Sequence, residues 1–252
     1  MPVAVAAERT PFPSAIVSYL KSRNGLASAA LLNLGTGISW SYNPNVVEPT
    51  ASIVKVDILA KLLADQQPSG SLPRETVQET ATEMIEVSDN DAATVLWGDV
   101  GGPDALKSFD IDLGMFHTDP SPCLECKGFA WPGWGLTLTS AEDQVTLLSD
   151  FVRPNKWLSS RQRAWGRQLM ESVVPSERFG ISHGVPPRVT VALKNGWVPF
   201  ESGLWQVNSI GWVNGDGRDY IAAVLTASDP DEQYGIGTVD NFGAMVYQAL
   251  GR

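Results

Sequence analysis

The chain is short of positive charge, of histidine and of cysteine. Its 252 residues hold 18 Lys and Arg against 28 Asp and Glu, a formal net charge of −10. A nucleic-acid binder would present a basic face, so that class is excluded. Two histidines, His117 and His183, and two cysteines, Cys123 and Cys126, are the whole supply. One C-x-x-C with no second pair makes a poor zinc site, and neither metal nor cofactor is expected. Pro120, Pro122 and Gly128 mark CLEC as a loop, not the βαβ setting of a redox motif. A local disulfide and two free thiols both stay open. No apolar run approaches the ~18 residues of a membrane span. The opening MPVAVAAERTPF has neither the cationic start nor the long apolar stretch of a signal peptide. Its AVAA resembles the tail of one, so a mature exported chain is expected.

What is present suits a globular protein of one or two domains. Hydrophobic residues make up 43% of the chain, enough for a sizeable core. Nine tryptophans exceed the need of such a core; most are expected inside it and several in a cleft wall. Periodicity and turn residues predict a helix over 11–24 and a hairpin from 27–34 and 38–42. Helices follow from Ser52 onward, over 74–86, and on either side of Gly101-Gly102. A Pro, Gly and Trp-rich loop covers 117–136. Helices over 139–153 and 159–173 precede strands at 188–194, 204–213 and 219–226, and a last helix at 238–250. Strands at both ends of the chain can join in one antiparallel sheet, with the middle helices as a separate body and a cleft between.

The stretch TASIVKVDILAKLLAD, residues 50–65, holds a polar residue out of place. On a helix, Ser52, Lys55, Val56, Leu59 and Leu63 share one face, while Asp57, Lys61 and Asp65 form a charged stripe opposite. A buried ammonium escapes its desolvation cost by losing its proton. A neutral lysine beside a serine is a general base beside a nucleophile. A lysine that snorkels out of the core edge would read the same way.

S-x-x-K alone carries little weight, because a chain of this size holds about one by chance. A second copy stands at Ser18–Lys21. The company of the first copy matters more: Ser88-Asp89-Asn90 follows it, then Lys194-Asn195-Gly196 at the end of a predicted strand. These are close to the S-x-x-K, S-D-N and K-T-G elements of class A β-lactamases and penicillin-binding proteins, in the same order.

The sequence resembles that superfamily along nearly its whole length, and class A most closely. The stretch SDNDAATVLWGDVGGPDALKSFDIDLG is similar to the family's S-D-N segment and the helices after it. The resemblance implies an α/β (α+β) fold with an antiparallel sheet of about five strands flanked by helices. An α/β lobe would comprise about 1–65 and 175–252, and an all-helical lobe about 66–174. It implies a serine hydrolase that acts through an acyl-enzyme on an amide or ester, such as a β-lactam ring or a D-Ala-D-Ala-type peptide; a monomer is expected. Ser52 would be the nucleophile and Lys55 its proton acceptor. Ser88 would carry protons to the leaving nitrogen, and Asn90 would bind the acyl amide and Lys55. Lys194 would support the substrate carboxylate. The backbone N–H groups of Ser52 and Trp197 would form the oxyanion hole.

Three departures stand out. K-T-G has become K-N-G, so Asn195 replaces a hydroxyl that helps to hold a β-lactam carboxylate, beside Gly196. Ser52 and Ser88 are 36 residues apart, shorter than in a typical class A enzyme, which implies a more open cleft. The family's deacylating glutamate, in E-x-x-L-N, has only Glu125 as a candidate, and no Leu-Asn follows it. The alternative to an enzyme is therefore a weak or inactive member that binds a cell-wall-like peptide or a protein. Gly180-Ile181-Ser182-His183-Gly184 spells the nucleophile elbow G-x-S-x-G. That elbow needs a strand before it, a helix after it and a later histidine. Here Pro186-Pro187 and a strand follow, and the other histidine lies upstream, so the match is accidental.

Overall fold

A computed structural model describes residues 13–66 and 69–251. Five antiparallel strands form the central sheet. They are β1 (Leu26–Asn33), β2 (Ser39–Tyr42), β5 (Thr190–Pro199), β6 (Trp205–Gly215) and β7 (Arg218–Ala227), in the order β2-β1-β7-β6-β5. The hairpin read from the GTG turn is there, with Leu31 opposite Trp40. Strands β3 (Glu48–Pro49) and β4 (Leu138–Thr139) pair separately, a contact too short for periodicity to signal.

Both faces of the sheet are covered. Helices α1 (Ser14–Lys21) and α8 (Glu232–Ala249) lie on one side. Helices α6 (Ala141–Val152) and α7 (Ser160–Glu171) lie on the other. Alternation along β6 sorts the two layers. A Cβ on Gly235 of α8 would meet Val207, whereas Trp212 takes the Arg167 guanidinium of α7 5.5 Å from its ring centroid.

Helix α2 (Val54–Ala64) packs among α3 (Glu75–Glu86), α4 (Asn90–Asp99), α5 (Gly102–Leu113), α6 and α7. It is buried nearly all round, and this corrects the expected charged stripe. Only Lys61 and Asp65 take the surface, as an ion pair of 2.5 Å; Asp57 is buried with Asp110 of α5 as a neighbour. A helix enclosed by five others has no solvent face, so a polar residue every fourth place does not define one.

Other boundaries shift for local reasons. Of the helix predicted from Pro11, residues 11 and 12 lie outside the described part; Pro13 is an extended N-cap and the helix runs Ser14–Lys21. The last helix starts six residues early, where the Asp231 carboxylate accepts from Tyr234 N at 2.7 Å and caps it. Strand β5 runs past Lys194, so K-N-G lies in the middle of the strand and not at its end. No helix among the described residues is long and apolar enough to cross a membrane.

Candidate active site

Ser52 sits in a 3-10 turn, Ala51–Ile53, that leads into α2. The turn is held from the sheet: Asn208 Nδ2 on β6 donates to Pro49 O at 2.9 Å and to Thr50 O at 3.0 Å, and Gln206 Nε2 also donates to Pro49 O. Ala51 adopts φ of +46°, a left-handed conformation that costs a non-glycine residue on the order of 1 kcal/mol or more. Gly196 of β5 presses against the same turn. A Cβ there would lie 2.5 Å from Ser52 N and 2.8 Å from Ile53 N, so only glycine lets the strand come this close.

One turn on, Lys55 is fully buried. Its Nζ lies 2.6 Å from Ser88 O, 3.1 Å from Ser88 Oγ and 2.8 Å from Asn90 Oδ1. The Trp134 ring closes over it, with its centroid 5.0 Å away. Burial pushes the Lys55 pKa down to about 6, and the positive charge of Lys194 pushes the same way against the pull of Glu177 and Asp89. The geometry suits the neutral amine: two N–H groups serve Ser88 O and Asn90 Oδ1, and the lone pair is left for the Ser88 hydroxyl. Ser88 itself is strained, at φ +57°, while Asp89 caps α4 by accepting from Ala92 N at 2.7 Å.

Lys194 is buried as well, with Nζ 3.4 Å from Glu177 Oε2 and 3.1 Å from Asn195 O. Burial lowers its pKa to about 8, although Glu177 opposes the shift. Alternation turns the next side chain to the other face of β5, where Asn195 Nδ2 donates to Glu177 O at 2.9 Å and to Phe179 O at 3.1 Å.

These groups surround a cleft of about 410 Å³, lined by Ser52, Ser88, Asn90, Glu177 and Trp197 among others. Its far wall comes from the loop after Pro122, through Phe129, Trp131 and Trp134. A Cys123–Cys126 disulfide closes that loop, which settles the choice the sequence left open. Among the described residues Ser52 Oγ makes no hydrogen bond to Lys55 Nζ, whose partners are Ser88 and Asn90.

The structure thus brings Ser52, Lys55, Ser88, Asn90, Lys194, Gly196 and Trp197 to one place. It does not bring Glu125 there. That side chain is exposed and borders a neighbouring depression, with Thr94 and Lys127, that shares Phe129, Trp131 and Pro132 with the cleft. His183 faces solvent with Nδ1 3.4 Å from Asp240 Oδ2, away from the cleft. No group of three or more metal-ligating side chains occurs among the described residues.

Four further residues complete the site: Gln206, Asn208, Glu177 and Trp134. Gln206 and Asn208 carry a signal in the sequence, as amides at alternate positions of a largely apolar strand. Glu177 and Trp134 carry no local signal, since both reach the cleft from irregular segments.

Comparison with known proteins agrees with this architecture. The family model described as "Beta-lactamase enzyme family" matches residues 64–250. A β-lactamase of Rhodobacter capsulatus is 30% identical over 134 residues, which are 44% of this chain and 43% of that protein. The chain thus matches less than half the length of that relative. Among solved structures, the TLA-3 extended-spectrum β-lactamase superposes with a TM-score of 0.81 at 18% identity, over 95% of this chain and 98% of that one. A β-lactamase from Chitinophaga pinensis gives 0.82 at 19% identity, over 94% and 98%. The penicillin-binding protein PBP-A gives 0.79 at 22% identity, over 96% and 97%. At these identities the structural likeness speaks for the fold, and the family match speaks for descent: the chain belongs to the β-lactamase enzyme family.

Proposed function

We propose that this protein is a serine hydrolase that cleaves an ester or amide through an acyl-Ser52 intermediate. The observation that carries this reading is the buried Lys55, held by Ser88 and Asn90 one turn from Ser52 and depleted of its proton near neutral pH. A buried ammonium placed only for stability would need a carboxylate partner, and Lys55 has none in hydrogen-bond contact.

Ser52 Oγ attacks the acyl carbon as its proton passes to Lys55 Nζ. The oxyanion is received by the backbone N–H groups of Ser52, in the turn before α2, and of Trp197, on the edge strand β5. The tetrahedral adduct collapses as Lys55 returns the proton through Ser88 Oγ to the leaving nitrogen or oxygen. Asn90 then has two tasks, to orient Lys55 and to bind the acyl group. Water attacks the acyl-enzyme and releases the acid, and Ser52 regains its proton. With Glu125 outside the cleft, Lys55 and Ser88 serve both half-reactions. Deacylation is then the slower step. The hydrogen bond between Ser52 and Lys55 forms on substrate binding, as such contacts commonly do. An exported location fits the disulfide.

Turnover of p-nitrophenyl esters tests the reading. The expected course is a burst of about one nitrophenolate per enzyme, then a slower steady state, both lost in Ser52→Ala. Turnover that survives Ser52→Ala would contradict it.

A further inference from the structure

Lys194 lies buried behind the cleft wall, and its charge is already matched from inside the protein. Its Nζ meets Glu177 Oε2 at 3.4 Å, and Glu177 lines the cleft. Glu232 lines it too, at the start of α8, and no Lys or Arg side chain among the described residues does. The rest of the wall is largely aromatic, with Trp131, Trp197 and Trp205 beside Phe129. A substrate carboxylate brought toward Lys194 would meet a carboxylate first. Like charges set opposite each other in a desolvated cleft are strongly unfavourable.

Asn195 is part of the same device. Both N–H bonds of its amide are spent on the carbonyls of Glu177 and Phe179, at 2.9 and 3.1 Å. That fixes the segment that carries Glu177. A threonine hydroxyl has one donor and a shorter reach, and cannot hold both carbonyls.

We propose that Glu177 is a specificity-determining residue that occupies the anion position beside Lys194, so that this cleft takes acyl donors whose far end is uncharged or cationic and rejects those that carry a carboxylate there. The proposal rests on the acyl-Ser52 reading and narrows its substrate class. The aromatic wall suits a cationic end in particular, through cation–π contact.

The test uses three p-nitrophenyl esters of one chain length that end in methyl, trimethylammonium or carboxylate. The wild-type protein should show kcat/KM lower for the carboxylate ester by about tenfold or more, with the cationic ester at least equal to the neutral one. Glu177→Gln should raise the carboxylate-to-neutral ratio by about tenfold, because Lys194 is then free to receive the anion. A wild-type preference for the carboxylate, or no preference, would overturn the proposal, and so would an unchanged ratio in a folded Glu177→Gln. Binding of the three matching primary amides, read by fluorescence of the cleft tryptophans, gives the same ranking without turnover. Failure of the acyl-Ser52 reading would appear separately, as no ester turnover alongside a retained binding preference.

Discussion

Lys55 Nζ and Ser88 Oγ lie 3.1 Å apart, the amine buried and the hydroxyl at the cleft wall, in a cluster that Asn90 completes. One partner is a buried amine with a pKa of about 6, the other a hydroxyl on a strained backbone. A proton can pass between them without crossing water, and this relationship underlies the proposed chemistry.

Replacing Lys55 by Met separates catalysis from stability. The variant fills the same volume but removes the proton acceptor, so kcat/KM for a neutral ester should fall by about 10²–10⁴-fold. Its thermal midpoint should not fall, since an apolar side chain in a buried site avoids desolvating an amine. Melting curves and ester kinetics on the same preparation check both outcomes.

The pH–rate profile follows from the Lys55 shift. The neutral amine is the active form, so kcat/KM should rise with pH through an acid limb centred near 6. Lys194 helps to hold that value down, so Lys194→Met should move the limb to higher pH while lowering the plateau. A limb that stays in place would show that the two ammonium groups do not interact.

Asp57 and Asp110 form a second pH-dependent feature, away from the cleft. Both are buried, and burial raises the pKa of each above the usual carboxylate range; the neighbouring Asp57 raises that of Asp110 further. The folded state therefore holds protons that the unfolded chain releases. The stabilising contribution is complete below the ordinary carboxylate pKa and is lost as pH rises through the raised values. Stability of the wild-type protein should decline from mildly acidic toward alkaline pH. Asp110→Asn should flatten that decline, as urea titrations at several pH values would show.

The disulfide tests the loop that forms the far wall. A Cys123–Cys126 link closes a short loop, for which chain entropy gives about 2 kcal/mol at most. Gly133 packs against it so closely that a Cβ would lie 2.4 Å from Cys126 Sγ, so the link and the wall are one unit. Reduction should raise KM severalfold with a smaller effect on kcat, because Phe129, Trp131 and Trp134 bind and Lys55 reacts. An equal loss in both constants would assign the loop a direct part in the chemistry.

Much of this was legible in the sequence, and the parts that were not share a cause. Strands and helices announced themselves by periodicity and by turn residues such as Gly101-Gly102 and the GTG turn of the β1–β2 hairpin. Ser52, Lys55, Ser88, Asn90 and Lys194 could be read because their motifs keep order and local context. Asp57 defeats the charged-stripe reading because periodicity cannot tell a solvent face from a face packed on another helix, here α5. Glu125 was a candidate by chain position alone, and its side chain borders the neighbouring depression instead. Glu177 had no motif at all. It reaches Lys194 only because Asn195 ties an irregular segment to the edge of β5, a tertiary contact that spacing does not encode.

The most direct test of the central claim is covalent labelling of Ser52. A small neutral phosphonate fluoride should add one phosphonyl group per chain, seen in the intact mass and mapped to Ser52, and labelling should slow sharply in Lys55→Met. Label on Ser88, Ser182 or any other residue in place of Ser52, or labelling at an undiminished rate in Lys55→Met, would contradict the account.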